Sequence, residues 1–210
     1  MTKRIVVLIS GRGSNLSALL DAGLPVVGVF SDRANAGGLT LAQQRGITTA
    51  TLSPRDFEHR ATFDQTVAAQ IDRWQPDVVV LAGYMRILSD DFVQHYQNRL
   101  LNIHPSLLPH YPGLNTHARA LADGMKIHGC TAHFVTPQLD SGPIILQGAV
   151  PVHADDTPDT LAARVLRAEH RIYPQAIHWF LEERLHVNAN QTVSVTGIDA
   201  AQQKLFFMED

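Results

Sequence analysis

The stretch LLNIHPSLLPHYPG, residues 100–113, carries two polar side chains at the end of an apolar run. Asn102 and His104 are two residues apart in a strand-like segment, so they project from the same side, and Pro105 ends the strand there. An amide N–H beside an imidazole that can be protonated is suited to stabilising an oxyanion. If a neutral amine attacks a carbonyl group unaided, no protein nucleophile is needed. The protein then only orients the reactants, stabilises the oxyanion and removes a proton.

A carboxylate would complete this set, because it can support a protonated imidazole and help to move the proton. Asp140, in the turn-forming segment QLDSGP between two predicted strands, is the candidate. Its spacing from His104 does not show that the two meet. An ordinary turn role for this aspartate is the alternative.

A second group of residues, SGRGSNL at 10–16, follows the first predicted strand and opens a predicted helix. Glycines let a backbone approach an anion closely, and a helix start offers unpaired N–H groups, so the segment predicts a phosphate site. Its residues are Gly11, Arg12, Gly13, Ser14 and Asn15. A dinucleotide site is one alternative: Leu16 replaces the third glycine of that motif, but Asp32 ends the second strand where a ribose-binding acid would lie. A tight turn without any ligand is the other.

Metal and cysteine chemistry are disfavoured. His104 and His110 are separated by two prolines, and His128 and His133 point to opposite faces of a predicted strand, so neither pair has the spacing of a helical zinc motif. We expect no metal. The single cysteine, Cys130, excludes an internal disulfide and is expected to be a buried, inert thiol.

Composition narrows the range of possible functions further. The net charge of −3 and the absence of a Lys/Arg run disfavour nucleic acid, and no segment is long enough to cross a bilayer. Only three lysines are present, which makes a Schiff-base enzyme improbable and removes the GK[ST] signature of a P-loop. We therefore expect a cytoplasmic enzyme with small-molecule substrates, no nucleic-acid or membrane partner, and a monomeric or homodimeric state.

The elements that must position these residues alternate along the chain. Short β-branched runs separated by helix-compatible segments predict an α/β fold, Rossmann-like, with a mostly parallel sheet and helices on both faces. The predicted strands are 4–10, 25–31, 47–52, 77–83 and 99–104. Two further strands, 127–135 and 144–152, are joined by turn formers and are expected to pair antiparallel in the C-terminal half.

A long helix is predicted in the segment 155–185. Thr157 is a plausible N-cap and Pro158 the first helical residue. Glu169 falls at the edge of the apolar stripe, where a carboxylate needs a partner, and Pro174 is expected to kink or divide the helix. We predict one domain over 1–186 and a C-terminal appendage over 187–210 that forms a hairpin or stays loosely attached.

Taken together, the motifs closely resemble the formyltetrahydrofolate-dependent formyltransferases. The resemblance covers roughly residues 4–185 through several motifs in the same order: VVLISGRGSNL, DVVVLAGYMRIL, NIHPSLLPHYPG, LDSGPIILQ, EHRIYP and HWF. It implies transfer of a formyl group from 10-formyltetrahydrofolate, as co-substrate, to the primary amine of glycinamide ribonucleotide in de novo purine biosynthesis. It implies neither a metal nor a nicotinamide cofactor.

The resemblance also assigns roles by position. It makes Asn102, His104 and Asp140 the catalytic residues, places the ribonucleotide phosphate on the loop 11–15, and puts Glu169 near that substrate. The residues that it implies for the folate are Arg60, Met85, Arg86, Ile87, Leu88, Thr136, Pro137, Gln138 and Leu139.

Other functions stay open at this point. Family members that formylate methionyl-tRNA would be expected to add a C-terminal domain and a basic surface, and those that hydrolyse the folate an N-terminal regulatory domain. A nicotinamide-dependent oxidoreductase would use the glycine-rich loop and Asp32, whereas a non-catalytic nucleotide-binding module would need the loop but not His104.

Overall fold

The computed structural model describes residues 3–198 and 206–207, and the chain forms two compact units, one up to Asn102 and one from Ile103 onward. The strand that contains Asn102 and His104 crosses this division. Within the described ranges, no helix is both long and apolar enough to span a membrane.

The first unit is a parallel α/β sheet. Its strands run in the order β5-β4-β1-β2-β3, and all neighbouring pairs in it are parallel. The strands are β1 (Ile5–Ile9), β2 (Val26–Ser31), β3 (Thr48–Thr51), β4 (Val78–Leu81) and β5 (Leu100–His104). The helices are α1 (Ser14–Asp21), α2 (Gly37–Gln44), α3 (Arg60–Asp72) and α4 (Asp90–His95).

The central strands show why the sheet is covered on both faces. Every residue of β1 and β4 is buried, which fits their uninterrupted Ile/Val/Leu sequences. The outermost strand, β3, has the sequence TTAT and is partly exposed. The five strands of the N-terminal half therefore lie where the sequence predicts them, and the α/β fold class is confirmed.

The second unit contains an antiparallel strand pair and a long helix. Strands β6 (Ile127–Phe134) and β7 (Ile144–Pro151) pair antiparallel, as predicted. Helix α5 (Thr116–Ala122) precedes them, and α6 (Pro158–Leu181) follows. A Cβ atom added at Gly148 of β7 would lie 3.4 Å from Ala168 and 3.2 Å from Ile172, so α6 packs closely on this strand.

Helix α6 begins as its sequence predicts and continues through Pro174 without a break. The Thr157 hydroxyl accepts the N–H of Thr160 at 3.2 Å, and Pro158 occupies the first turn. Pro174 lies inside the helix, which continues to Leu181, so the proline does not divide it. Pro174 and its neighbour Tyr173 are buried, and this packing supports a helix that has lost one N–H donor.

The chain after α6 forms short strands. Strands β8 (Leu185–Val187) and β9 (Val193–Val195) make an antiparallel hairpin, and β10 (Phe206–Phe207) pairs parallel with β7. The hairpin begins before the predicted boundary at 186/187, and that boundary stays a prediction. Residues 199–205 and 208–210 of the predicted appendage lie outside the described part of the chain.

Candidate active site

In the first unit, the predicted phosphate loop lies at the point where the strand order reverses. From β1 the chain proceeds outward through β2 and β3, whereas β4 and β5 lie on the other side of β1. Open α/β sheets bind ligands at the carboxyl ends of the strands beside such a point. Two segments follow the strands there: the loop Gly11–Asn15 after β1, and residues 83–88 after β4.

The loop itself depends on Gly13. This residue has φ 84° and is the N-cap of α1, which has no side-chain capping bond. A Cβ atom at Gly13 would come within 2.6 Å of the Gly38 Cα, and the Gly38 N–H donates to the Gly11 carbonyl at 3.1 Å. Gly11 differs, since a Cβ atom there would meet nothing within 4 Å. The loop therefore has one glycine that the fold requires and one that faces open space.

Two features disfavour the dinucleotide alternative. Leu16 is fully buried, so the position of the third glycine contributes to the hydrophobic core. Asp32 is only 8% exposed, and its Oδ1 accepts the Ser10 hydroxyl at 2.6 Å. The carboxylate is therefore already engaged inside the protein, where the alternative needs it to bind a ribose hydroxyl.

The segment Met85–Leu88, which the resemblance assigns to the folate, forms an edge with two exposed side chains and unused backbone groups, whereas Leu88 is buried. Met85 and Ile87 are 65% and 61% exposed. Among the described residues, the backbone of Arg86, Ile87 and Leu88 forms no hydrogen bond. Because N–H and C=O groups are obligatory hydrogen-bonding groups, this edge can pair with a planar heterocycle that has its own donors and acceptors.

A cationic groove lies in the same unit. It has a volume of about 360 Å³ and is lined by Pro54, Arg55, Phe57, Glu58, His59, Arg60, Phe63 and Arg86. The Arg86 guanidinium lies 4.7 Å from the centre of the Phe63 ring. The groove includes Arg60 and Arg86, two of the residues that the resemblance assigns to the folate, and its three arginines suit an anionic ligand.

In the second unit, the structure brings His104 and Asp140 together. His104 ends β5, and its Nδ1 lies 3.4 Å from the Asp140 Oδ2, with both side chains 8% exposed. Its Nε2 lies 2.9 Å from the Tyr111 carbonyl oxygen, which can only accept, so Nε2 carries a proton. The His104 Nδ1 therefore faces the Asp140 carboxylate while the Nε2–H is donated to a backbone carbonyl.

The segment after Pro109 contacts both members of this pair. Tyr111 provides the carbonyl that binds His104, and the Gly113 N–H donates to the Asp140 Oδ2 at 2.8 Å. Tyr111, at φ 56°, and Asp140, at φ 49°, both adopt left-handed backbone conformations. Sequence reasoning missed Tyr111 and Gly113, because they act through backbone atoms. Only the turn-forming sequence HYPG signalled an unusual backbone at this place.

Two further histidines lie next to this pair. The rings of His117 and His128 are 5.3 Å apart at their centres. Burial lowers the pKa of His117, and the His104 charge adds to this effect. Burial also lowers the pKa of His128 to about 4, with smaller contributions from the His117 and His104 charges. Both rings are therefore neutral at pH 7, so they place no positive charge beside His104.

The remaining predicted residues are distributed between the units. Asn102 is half-buried on β5 and is the last residue of the first unit. In the second unit, residues 136–139 form an exposed turn closed by a hydrogen bond from the Ser141 hydroxyl to the Gln138 carbonyl, and Leu139 is 54% exposed. Glu169 is 7% exposed on α6. Burial raises the pKa of Cys130, and the Glu169 charge raises it further, so this thiol is buried and inert as expected.

The sequence and the fold both match one family. The model of the formyl transferase family matches residues 3–177. The chain belongs to this family.

Individual relatives are more specific. The phosphoribosylglycinamide formyltransferase of Escherichia coli (strain K12) is 54% identical over 89% of this chain and 91% of its own length. The phosphoribosylglycinamide formyltransferase of Coxiella burnetii has a solved structure that is 44% identical, with a TM-score of 0.91 over 98% of this chain and all of that one. The corresponding structure from Anaplasma phagocytophilum is 40% identical, with a TM-score of 0.92 over the whole of both chains.

These comparisons confirm the family resemblance predicted from the motifs. The chain is an enzyme of the transferase class, and it is similar over nearly its whole length to phosphoribosylglycinamide formyltransferases. The roles of the individual site residues stay predictions.

Proposed function

We propose that the chain transfers the formyl group of 10-formyltetrahydrofolate to the primary amine of glycinamide ribonucleotide, a step of de novo purine biosynthesis. The observation that carries this proposal is the buried pair of His104 and Asp140, whose Nδ1 and Oδ2 atoms lie 3.4 Å apart, with Asn102 two residues before His104 on β5. Attack by an amine needs no protein nucleophile, only groups that stabilise the oxyanion and move a proton, and we assign these roles to Asn102, His104 and Asp140.

The proposed reaction begins when the amine nitrogen attacks the formyl carbon. The Asn102 amide and the protonated His104 stabilise the oxyanion of the tetrahedral intermediate. The carbon–nitrogen bond to the folate then breaks, and the proton lost by the amine passes to the departing N10 of the folate. Asp140 supports the imidazolium and assists this proton transfer.

The hydrogen bond to Tyr111 adds one requirement to this mechanism. In the structure, the Nε2–H of His104 is donated to the Tyr111 carbonyl oxygen at 2.9 Å. If this N–H stabilises the oxyanion, it must exchange the carbonyl for the substrate oxygen. We therefore propose that the segment around Tyr111 shifts when the reactants bind.

The other assigned residues bind the two substrates. Gly11, Arg12, Gly13, Ser14 and Asn15 hold the ribonucleotide phosphate with the backbone N–H groups of the α1 start, and Glu169 lies near that substrate. Residues 85–88 and 136–139 bind the pterin ring of the folate. Arg60 binds its carboxylates, since the groove that it lines contains three arginines and one glutamate.

A steady-state assay tests the proposal. With 10-formyltetrahydrofolate as donor, we expect formyl transfer to glycinamide ribonucleotide and a release of formate to water that is at least about 100-fold slower. Hydrolysis at an equal or greater rate would contradict the proposed acceptor.

A binding titration addresses the remaining alternative. We expect saturable binding of glycinamide ribonucleotide and no binding of NAD at the same concentrations. Tight NAD binding without ribonucleotide binding would instead support an oxidoreductase.

A further inference from the structure

The exposed edge Met85–Leu88 is held at both ends by buried carboxylates. At the first end, the Met85 N–H donates to the Ser10 Oγ at 2.9 Å, and the Ser10 hydroxyl donates to the Asp32 Oδ1 at 2.6 Å. At the other end, the Ser89 N–H donates to the Asp64 Oδ2 at 2.7 Å. The edge therefore lies between two fixed points of the first unit.

Both carboxylates are buried, where removing a charge from water is energetically unfavourable. Asp64 on α3 is 1% exposed and Asp32 is 8% exposed. Burying an ionised group is costly unless hydrogen bonds stabilise it, and a bond from a backbone N–H to a carboxylate is about twice as strong as a neutral one. The bond from the Ser89 N–H to the Asp64 carboxylate therefore holds the end of the edge more firmly than a bond to a neutral acceptor would.

The pKa of the buried Tyr84 phenol responds to both carboxylates. Burial raises the pKa of Tyr84, and the charges of Asp32 and Asp64 raise it further, whereas the Arg86 charge lowers it. Both carboxylates are therefore electrostatically close to the residue that precedes the edge.

The middle of the edge contrasts with its ends. No hydrogen bond within the described ranges involves the backbone of Arg86, Ile87 or Leu88, and the Ile87 side chain is 61% exposed. Fixed ends with unused groups between them are the features of a binding edge that is organised before its ligand arrives. Such preorganisation reduces the cost of ordering on binding.

We propose that Asp64, and Asp32 acting through Ser10, are positioning residues that set the geometry of the folate-binding edge. This inference rests on the proposed function, which assigns Met85–Leu88 to the pterin ring. The two ends differ in one respect: Ser10 directly precedes the phosphate loop at Gly11, whereas Asp64 contacts only the far end of the edge. Asp64 therefore affects the folate alone, and Ser10 affects both substrates.

The Asp64 end is tested with three variants. Asp64→Ala removes the acceptor of the Ser89 N–H, Asp64→Asn keeps an acceptor oxygen, and Asp72→Ala is the matched control. Asp72 lies on the same helix and binds Tyr96 and His95 of the α4 region at 2.8 Å, away from the edge. Folate affinity is measured directly by equilibrium titration with 10-formyltetrahydrofolate, alongside KM for both substrates and Tm.

For Asp64→Ala we expect a rise of about 10-fold in folate Kd and KM, with the ribonucleotide KM changed less than about 2-fold. Asp64→Asn should recover only part of the folate affinity, because its oxygen accepts the Ser89 N–H without a charge. Asp72→Ala should lower Tm without changing the folate affinity. An unchanged folate Kd in Asp64→Ala would overturn the assignment. So would equal losses for both substrates, since a general loss of structure predicts them.

Ser10→Ala tests the Met85 end of the edge. It also provides a test of the inference if Asp64→Ala does not fold. It removes one hydroxyl, and we expect higher Kd values for both the folate and the ribonucleotide. Unchanged values for both would overturn the role of Ser10. Direct binding also separates this inference from the proposed function: a wild-type protein that binds the folate but does not formylate glycinamide ribonucleotide refutes the function alone.

Discussion

Asp140 combines two roles that a substitution can separate. Its Oδ2 accepts the Gly113 N–H at 2.8 Å and lies 3.4 Å from the His104 Nδ1. An asparagine at this position keeps an oxygen that can accept from Gly113 but loses the charge that faces the imidazole. The backbone contact and the electrostatic contact are therefore experimentally distinct.

We predict that Asp140→Asn lowers kcat by about 100-fold and that His104→Ala lowers it by about 100-fold to 10,000-fold. The reason is that the first variant removes the charge that faces the imidazole and the second removes the imidazole itself. Ribonucleotide binding should persist in both variants, because the phosphate loop is untouched. Single-turnover kinetics and equilibrium binding measure the two effects separately.

The control for these variants is His153→Ala, which removes an exposed histidine side chain elsewhere in the second unit and should leave kcat unchanged. Normal turnover in His104→Ala would refute its catalytic role. A change in folate affinity alone in Asp140→Asn would identify a binding residue instead.

Among the elements, the phosphate loop shows how two glycines of one motif differ. Gly13 has φ 84° and packs against the backbone of Gly38, whereas a side chain at Gly11 would point into open space. The sequence GRG does not distinguish these positions. The difference arises because α2 begins beside the loop, which only the folded sheet determines.

We predict opposite patterns for alanine at the two glycines. Gly13→Ala should lower Tm, because a left-handed conformation costs an alanine roughly 1–2 kcal/mol and its Cβ meets the Gly38 backbone. Gly11→Ala should leave Tm unchanged but raise the ribonucleotide Kd, because the methyl group occupies the space that a phosphate would approach. Thermal unfolding and ribonucleotide titration of both variants check this pair.

Each variant here is the control for the other. If Gly11→Ala binds the ribonucleotide as tightly as the wild type, the phosphate does not approach this face of the loop. An unchanged Tm in Gly13→Ala would mean that the contact with Gly38 relaxes at little cost.

For the molecule as a whole, buried histidines determine how stability responds to acid. Burial is the main cause that lowers the pKa values of His117, His128, His133 and His170. For His128 the folded value is about 4, below the value of about 6.5 expected in an unfolded chain. Between these values the unfolded chain binds more protons, so lower pH favours unfolding.

We predict that the free energy of unfolding falls as the pH is lowered from about 6.5 to about 4. His128 contributes to this loss, because burial holds its pKa in the folded chain at about 4, below the value of about 6.5 in an unfolded chain. His128→Gln should flatten the dependence, although its Tm at pH 7 can change as well. Tm measured against pH for the wild type and this variant checks the slope.

His153→Gln is the matched control, because it makes the same substitution at an exposed histidine. Asp156 affects the free energy of unfolding at lower pH. The Arg164 guanidinium bound to Asp156 holds the pKa of this carboxyl below its usual range, so the stabilisation is lost as the pH falls through the lowered pKa. An unchanged slope in His128→Gln between pH 4 and 6.5 would contradict the assignment.

The predicted monomeric or homodimeric state can be measured in the same samples by light scattering.

The sequence by itself determined the α/β class, seven of the strands, the start of α6 and the family. These features follow from local patterns: β-branched runs, a capping Thr157 before Pro158, and motifs that keep their order. The sequence also identified His104 and Asp140 as candidate site residues. It did not give the distance between them, because their separation along the chain does not determine whether the turn that carries Asp140 packs against His104.

Only the tertiary structure decided which groups meet. The contacts of Asp140 with His104 and Gly113, and of Asp64 with Ser89, join residues that are far apart in sequence. The sequence likewise left open whether Asp32 binds a ribose hydroxyl. The folded chain brings the Ser10 hydroxyl to its carboxylate instead. Local pattern reports the conformation that each segment prefers, whereas hydrogen bonds between distant segments depend on how the packed core brings them together.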